Sequence, residues 1–360
     1  MTPRGLRLLR LALTRPDALP RLGGAEWSEL LFRARGSALL GRLAAEAERA
    51  GIMGELPPPV RDQLIAGKRA GELSRRRITW EVDRLKRAFF ERPVKLVLLK
   101  GAAYAAADFP WAAGRVSSDI DVMVDRADLQ LAEATLLAAG WQPVQHSAYD
   151  ERYYREWMHE IPPLRHPDRG TLMDLHHTIL PLTGRLRPDP AALLADARAI
   201  DGHIHVLSPA DMLLHSIVHL FQDGAIRGGL RDLVDQRDMM AHFGADPAFW
   251  RDLVTRAEMF GLGRPLHYSV RYAVRLLDAP VPPEVVADIA RRFAPPAPLG
   301  AVMDALVVKA IAPPFLFHGT RGSGLAARLL YMRSHWLRMP PGLLARHLAR
   351  KAVARLRPAR

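Results

Sequence analysis

The chain has 360 residues, 49% of them hydrophobic and 25% charged, which is long enough for two or three packed units and typical of a protein that folds in water. With no cysteine there can be no disulfide, thiolate metal site or thiol nucleophile, and a cytoplasmic location is the expectation. No apolar run reaches the roughly 18 to 20 residues needed to span a bilayer, and the net charge of +13 is concentrated at one end.

Residues 1–25 read as an arm or one short basic helix, stopped by Pro16 and Pro20. Its arginines interrupt the apolar residues, unlike a secretory signal. From Trp27 to Ala50, the apolar residues Leu30, Leu31, Ala34, Leu39, Leu40, Leu43 and Ala44 recur at three-to-four spacing, which predicts helices packed on a core. Val60 to Glu91 continues as a charged amphipathic helix, read as a lid or buttress. Together these form an N-terminal helical section, 1–92.

After Pro93 the pattern changes. Leu96 to Leu99 is a continuous apolar run bounded by turn signals, as in a buried strand. A small-residue helix follows from Gly101. Asp119 to Val124 is a second strand, and Arg126 to Ala139 an amphipathic helix closed by Gly140. Trp141–Ala148 and Tyr153–Ile161 read as third and fourth strands, and Leu172–His176 as a further one after the 166–170 turn. The expected fold class is therefore α/β (α+β): a small mixed-sheet core over 93–180, flanked by helical sections. A C-terminal helical domain, 181–320, includes a helix start at Ser208-Pro209. The tail 321–360 carries ten Arg or Lys and no Asp or Glu. Apolar residues interleave with its arginines, so it is either a solvated helix or a surface for an anionic membrane, nucleic acid or acidic partner.

The carboxylates of the second strand need a chemical explanation. Residues i and i+2 of a strand point to one side, so Asp119 and Asp121 lie side by side while Ile120, Val122 and Val124 face the core. Like charges at that spacing call for a cation or a shared proton, and an all-oxygen pair suits Mg2+ with bound phosphates. Asp174, on the later strand, is the candidate third carboxylate. Gly101 permits close approach to a phosphate, Lys100 and Arg115 are cations for phosphate oxygens or structural ion-pair partners, and Ser117 and Ser118 are hydrogen-bond donors beside them. His176, two residues after Asp174, contacts substrate, orients the carboxylate or is structural. His215 and His219 have an i, i+4 spacing that can bind metal, but without an intervening Glu they read as packing residues. His203 and His205 flank Ile204 in an expected strand and have no assigned role.

The run Leu99-Lys100-Gly101, Arg115, Ser117, Asp119-Ile120-Asp121, Asp174-Leu175-His176 and then Pro209-Ala210-Asp211-Met212-Leu213-Leu214-His215 resembles the bacterial uncharacterised nucleotidyltransferase family, within the DNA polymerase beta-like superfamily. The resemblance covers about residues 26–290 and leaves the tail unexplained. It implies an Mg2+-dependent enzyme, with Mn2+ as substitute, moving a nucleotide from an NTP to a hydroxyl acceptor of unknown identity: a small molecule, sugar, RNA or protein. It also implies Asp119, Asp121 and Asp174 as catalytic metal ligands. The usual Gly-Gly or Gly-Ser after the first strand is here Gly101-Ala102. The alternative is a catalytically inactive scaffold of the same fold.

Overall fold

The computed structural model describes residues 4–144, 148–222, 226, 228–311 and 323–346. Four helices, α1 (Arg4–Thr14), α2 (Gly24–Gly36), α3 (Leu40–Arg49) and α4 (Pro58–Ala88), precede strand β1 (Leu96–Leu99). Helix α5 (Lys100–Ala106) opens directly from β1 and leads to β2 (Asp119–Met123). Then come α6 (Leu129–Ala138), β3 (Gln142–Pro143), α7 (Ala148–Trp157), β4 (Leu164–Arg165) and β5 (Leu172–His176). Beyond them lie α8 (Pro190–Ala195), β6 (Arg198–Asp201), β7 (Ile204–Val206), α9 (Pro209–Gln222) and α10 (Leu230–Phe243). The chain continues with α11 (Pro247–Met259), α12 (Gly263–Leu277), α13 (Pro283–Phe293), α14 (Ala297–Ala310) and α15 (Ser323–Arg338).

The seven strands form one mixed sheet in the order β3-β4-β5-β2-β1-β7-β6. β1 is antiparallel to β2 and parallel to β7, and β2 is parallel to β5. The all-apolar β1 is buried along its whole length, as a strand between two others must be. Tyr153–Ile161 is not a strand. Its first half lies in α7, where the rings of Tyr149, Tyr153 and Trp157 meet one turn apart, the last two edge to face, and Arg155 pairs with Glu151 at 2.6 Å. Four-residue spacing of partners stabilises a helix, and it overrides the aromatic content that suggested a strand. Of Trp141–Ala148 only Gln142–Pro143 pairs, at the sheet edge where a proline is tolerated, and 145–147 lie outside the described residues. The sheet also takes β6 and β7 from residues 198–206, so the segment after Pro190 is not wholly helical.

One apolar core runs from the N-terminal helices through the sheet into α9–α14. Helix α4 is tied to the entry of β5 by Glu81, which accepts from Arg169 Nε at 2.9 Å and Thr171 Oγ1 at 2.7 Å. At α9, the fully buried Asp211 meets Arg256 Nη2 at 2.6 Å, fixing the first turn of a helix buried on nearly every side. A buried carboxylate stripped of its partner is strongly destabilising. Arg256→Ala is therefore expected to lower unfolding stability by about 3–5 kcal/mol, read as a fall in denaturant midpoint at unchanged slope.

Part of the basic tail is α15. It docks through Arg333, whose Nη1 donates to the Phe221 carbonyl at 2.9 Å, and through Thr183 Oγ1, which donates to the Arg338 carbonyl at 2.8 Å. Leu325, Leu329, Tyr331, Met332 and Trp336 remain on its exposed side. Residues 347–360, with half of the tail's basic groups, lie outside the described residues. No helix among the described residues is long and apolar enough to cross a membrane.

Candidate functional site

Parallel pairing of β2 with β5 sets Asp121 directly opposite Asp174 and Met123 opposite His176. Because side chains alternate along each strand, Asp119, Asp121, Asp174 and His176 share one face of the sheet. Ile120, Val122, Met173 and Leu175 are buried on the other. On the far side of β5 the chain from His159 to Arg165 runs antiparallel to it: Glu160 bridges His176, Ile161 N donates to the Leu175 carbonyl, and Leu164 pairs with Met173. Glu160 is thereby carried onto the same face, beside His176.

Asp121 is buried and accepts from Lys100 Nζ at 3.2 Å and from His176 Nε2 at 3.0 Å, both at Oδ1. Burial alone would raise its pKa, but the Lys100 ammonium and His176 hold it well below the ordinary carboxylate range. Asp174 has the opposite fate. Burial and the neighbouring charges of Glu160, Asp121 and Asp119 push it up to about 7, against the opposing pull of His176. Burial lowers the pKa of His176, but its hydrogen bond to Asp121 and the charge of Glu160 more than offset this, so it is raised overall. His159 and His215 are driven well below the usual histidine range, by burial first and then by the cationic character of His176 and Lys100 nearby.

Lys100 stands at the strand–helix junction with φ +43°, a conformation rare for a residue with a side chain. The left-handed position in this turn is therefore Lys100 and not Gly101. Gly101 is required for a different reason: a Cβ there would overlap Ser117 Oγ and Arg115 Nη1. Gly101→Ala is thus expected to displace the 115–118 segment and lower the melting temperature, which thermal unfolding would read. Ala102 is buried within α5.

The Arg115 guanidinium faces Asp235 of α10, Nε to Oδ2 at 2.9 Å with both side chains buried, and lies 5.3 Å from the Tyr104 ring centre. Its Nη1 also donates to Ser117 Oγ. Ser117 is itself buried, its amide donating to Ser74 Oγ at 2.9 Å and its carbonyl accepting from the same hydroxyl at 3.1 Å. Arg115 and Ser117 thus brace the loop that delivers β2. Behind them, Gly114 (φ +71°) packs so closely on α4 that a Cβ on Gly71 would lie 2.6 Å from the Gly114 Cα. Ser118 is exposed next to Asp119.

Two residues at this face have no motif in the sequence to announce them. Glu160 and His159 arrive by pairing with β5. The two α9 histidines separate in role: His219 Nδ1 lies 3.3 Å from Asp232 Oδ2, whereas His215 is buried and close enough to Asp121, Lys100 and His176 to interact with their charges. Chemically, the face combines clustered carboxylates, one lysine, the His176 imidazole with its pKa raised, and the imidazoles of His159 and His215 with theirs lowered. It can hold a cation, neutralise phosphate and move a proton.

A family model described as uncharacterised nucleotidyltransferase matches residues 23–278, which include every residue of this face. The chain belongs to that family, and a nucleotide is the substrate class this membership implies. No curated protein matched the chain.

Proposed function

We propose that the chain transfers a nucleotide from an NTP to a hydroxyl acceptor, with Asp119, Asp121 and Asp174 binding Mg2+ (or Mn2+) at the reacting phosphate. The observation that carries this reading is the register that sets Asp121 against Asp174 with Asp119 two residues away. Burial and the neighbouring charges of Glu160, Asp121 and Asp119 push Asp174 up to about 7 in the metal-free chain, and the all-oxygen donor set fits a hard divalent cation. When bound, Mg2+ supplies the charge that neutralises the triphosphate and acidifies the attacking hydroxyl.

The residues themselves do the rest. Asp174, set opposite Asp121, takes the acceptor's proton. Lys100, which neutralises Asp121 in the free protein, turns to a phosphate oxygen once nucleotide arrives. Ser118, exposed beside Asp119, donates to the same phosphates, and Gly101, Arg115 and Ser117 keep that wall of the site in place. Lys100 reaches Asp121 directly, and Arg115, paired with Asp235, acts from behind it. His176 orients Asp121 and stands at the edge of the substrate space. The exposed apolar and basic side of α15 is the place for an anionic acceptor or partner to dock.

Incubating the full chain with NTP labelled at the α-phosphate tests this. Expected is Mg2+-dependent appearance of label in an acceptor with stoichiometric pyrophosphate. Release of inorganic phosphate instead of pyrophosphate, or no nucleotide turnover with any NTP, would sink it.

A further inference from the structure

We propose that His159, Glu160 and His176 form a second cation site, distinct from the Asp119–Asp121–Asp174 carboxylates and suited to Zn2+. Each residue offers one ligand atom, and these atoms lie within 4.8 Å of one another. His176 has its Nδ1 3.6 Å from Glu160 Oε2, and His159 has its Nε2 3.8 Å from the same oxygen. The two imidazole centres are 5.2 Å apart.

Two further observations point to a ligand. The His176 side chain is only 2% exposed, yet its Nδ1, the nitrogen facing Glu160, has no hydrogen-bond partner among the described residues. Buried polar atoms without partners are uncommon and costly. The second is the tautomer. His176 Nε2 lies 3.0 Å from Asp121 Oδ1 and donates to that carboxylate oxygen, so Nδ1 is the ring nitrogen left facing Glu160, 3.6 Å from its Oε2. A carboxylate holding the far nitrogen of a histidine ligand is the usual outer support of a zinc-binding imidazole.

The backbone fixes the three positions. Glu160 bridges His176, and the His177 amide donates to the His159 carbonyl at 2.9 Å. Only side-chain rotation is needed to bring the ligand atoms to the roughly 3.3 Å separation of a tetrahedral zinc site with bonds near 2.0–2.1 Å. Two imidazoles and one carboxylate, with a fourth position open, match zinc and its neighbours and disfavour Mg2+, which prefers oxygen. The site is thus separated from the carboxylate site by donor chemistry while being joined to it through the His176–Asp121 hydrogen bond. It requires no nucleotide, so it stands or falls apart from the transfer reading.

The test uses the full chain, stripped with a chelator and titrated with Zn2+ against a chromophoric competitor, with Co2+ as spectroscopic substitute. Expected is one equivalent of Zn2+ that excess millimolar Mg2+ does not displace, and a Co2+ visible band of four-coordinate intensity. His159→Ala and the isosteric Glu160→Gln should each weaken Zn2+ about tenfold or more and abolish the band, whereas Asp119→Asn should leave both unchanged. A melting curve on each variant separates ligand loss from misfolding, and Glu160→Gln carries the test if His159→Ala does not fold. Absence of bound Zn2+ in the unaltered chain would overturn the proposal. So would Zn2+ that Mg2+ displaces and Asp119→Asn removes, because the carboxylates would then be its ligands.

Discussion

Replacing Asp119 and Asp121 together by asparagine is expected to lower Mg2+-dependent nucleotidyl transfer about 10³-fold or more, equivalent to roughly 4 kcal/mol of barrier. Asparagine is the informative choice. Its Oδ1 can still accept from Lys100 Nζ and His176 Nε2, so the hydrogen bonds at Asp121 persist while the charge that would bind a cation is lost. Alanine at 121 would instead leave an ammonium facing an apolar gap, mixing a stability defect with a chemical one. Asp119 is only half-buried and has less structural work to do. Steady-state transfer rates with a parallel thermal melt read the two effects separately. A double variant that folds and retains a tenth or more of the activity would remove these carboxylates from the chemistry.

The second large effect is a pH dependence centred on Asp174. Its carboxyl is pushed up to about 7 in the folded chain from an ordinary value of 3.8. Between those two values the native state binds the extra proton, so this group's contribution to stability is fully present below the lower value and is lost as pH rises through about 7. Metal-free protein should therefore melt at a higher temperature at mildly acid than at mildly alkaline pH as far as this residue is concerned. Asp174→Asn should flatten that slope and stabilise the metal-free chain at pH 8 by roughly 1–3 kcal/mol. Cation binding runs the other way. A metal must displace the proton, so apparent Mg2+ affinity should rise by about thirtyfold from pH 5.5 to pH 8 and then level off. Calorimetric titrations at several pH values measure this, and a flat profile would show that Asp174 is not a ligand.

Local patterning made much of this face legible. Alternation within Asp-Ile-Asp-Val placed both aspartates on one side of a strand, and the apolar run before Lys100 marked β1. The strand assigned to Leu172–His176 also holds. Register between distant strands was not legible. That Asp121 stands opposite Asp174, and that Glu160 stands opposite His176, depends on pairing across about fifty residues and across an irregular edge segment, and neither leaves a local signature. Tyr153–Ile161 misled because aromatic residues favour strands on average, while here the i, i+4 ion pair and edge-to-face ring contact favour helix.

The cations show a subtler limit. Sequence presented Lys100 and Arg115 alike, as positive charges near a glycine turn. Folding distinguishes them by burial and partner: Lys100 reaches the carboxylates, while Arg115 is neutralised by Asp235 from a helix some 120 residues later. The substitution of alanine after Gly101 likewise changes meaning. Ala102 is inside α5, and the special backbone position of the turn falls on Lys100.

The most direct test of the central claim is a calorimetric titration of the full chain with each NTP, run with Mg2+ and again with a chelator. Saturable binding with Mg2+ is expected, abolished by the chelator and lacking in the Asp119→Asn/Asp121→Asn protein. Binding of equal strength in the chelator, or unchanged in the double variant, would contradict it.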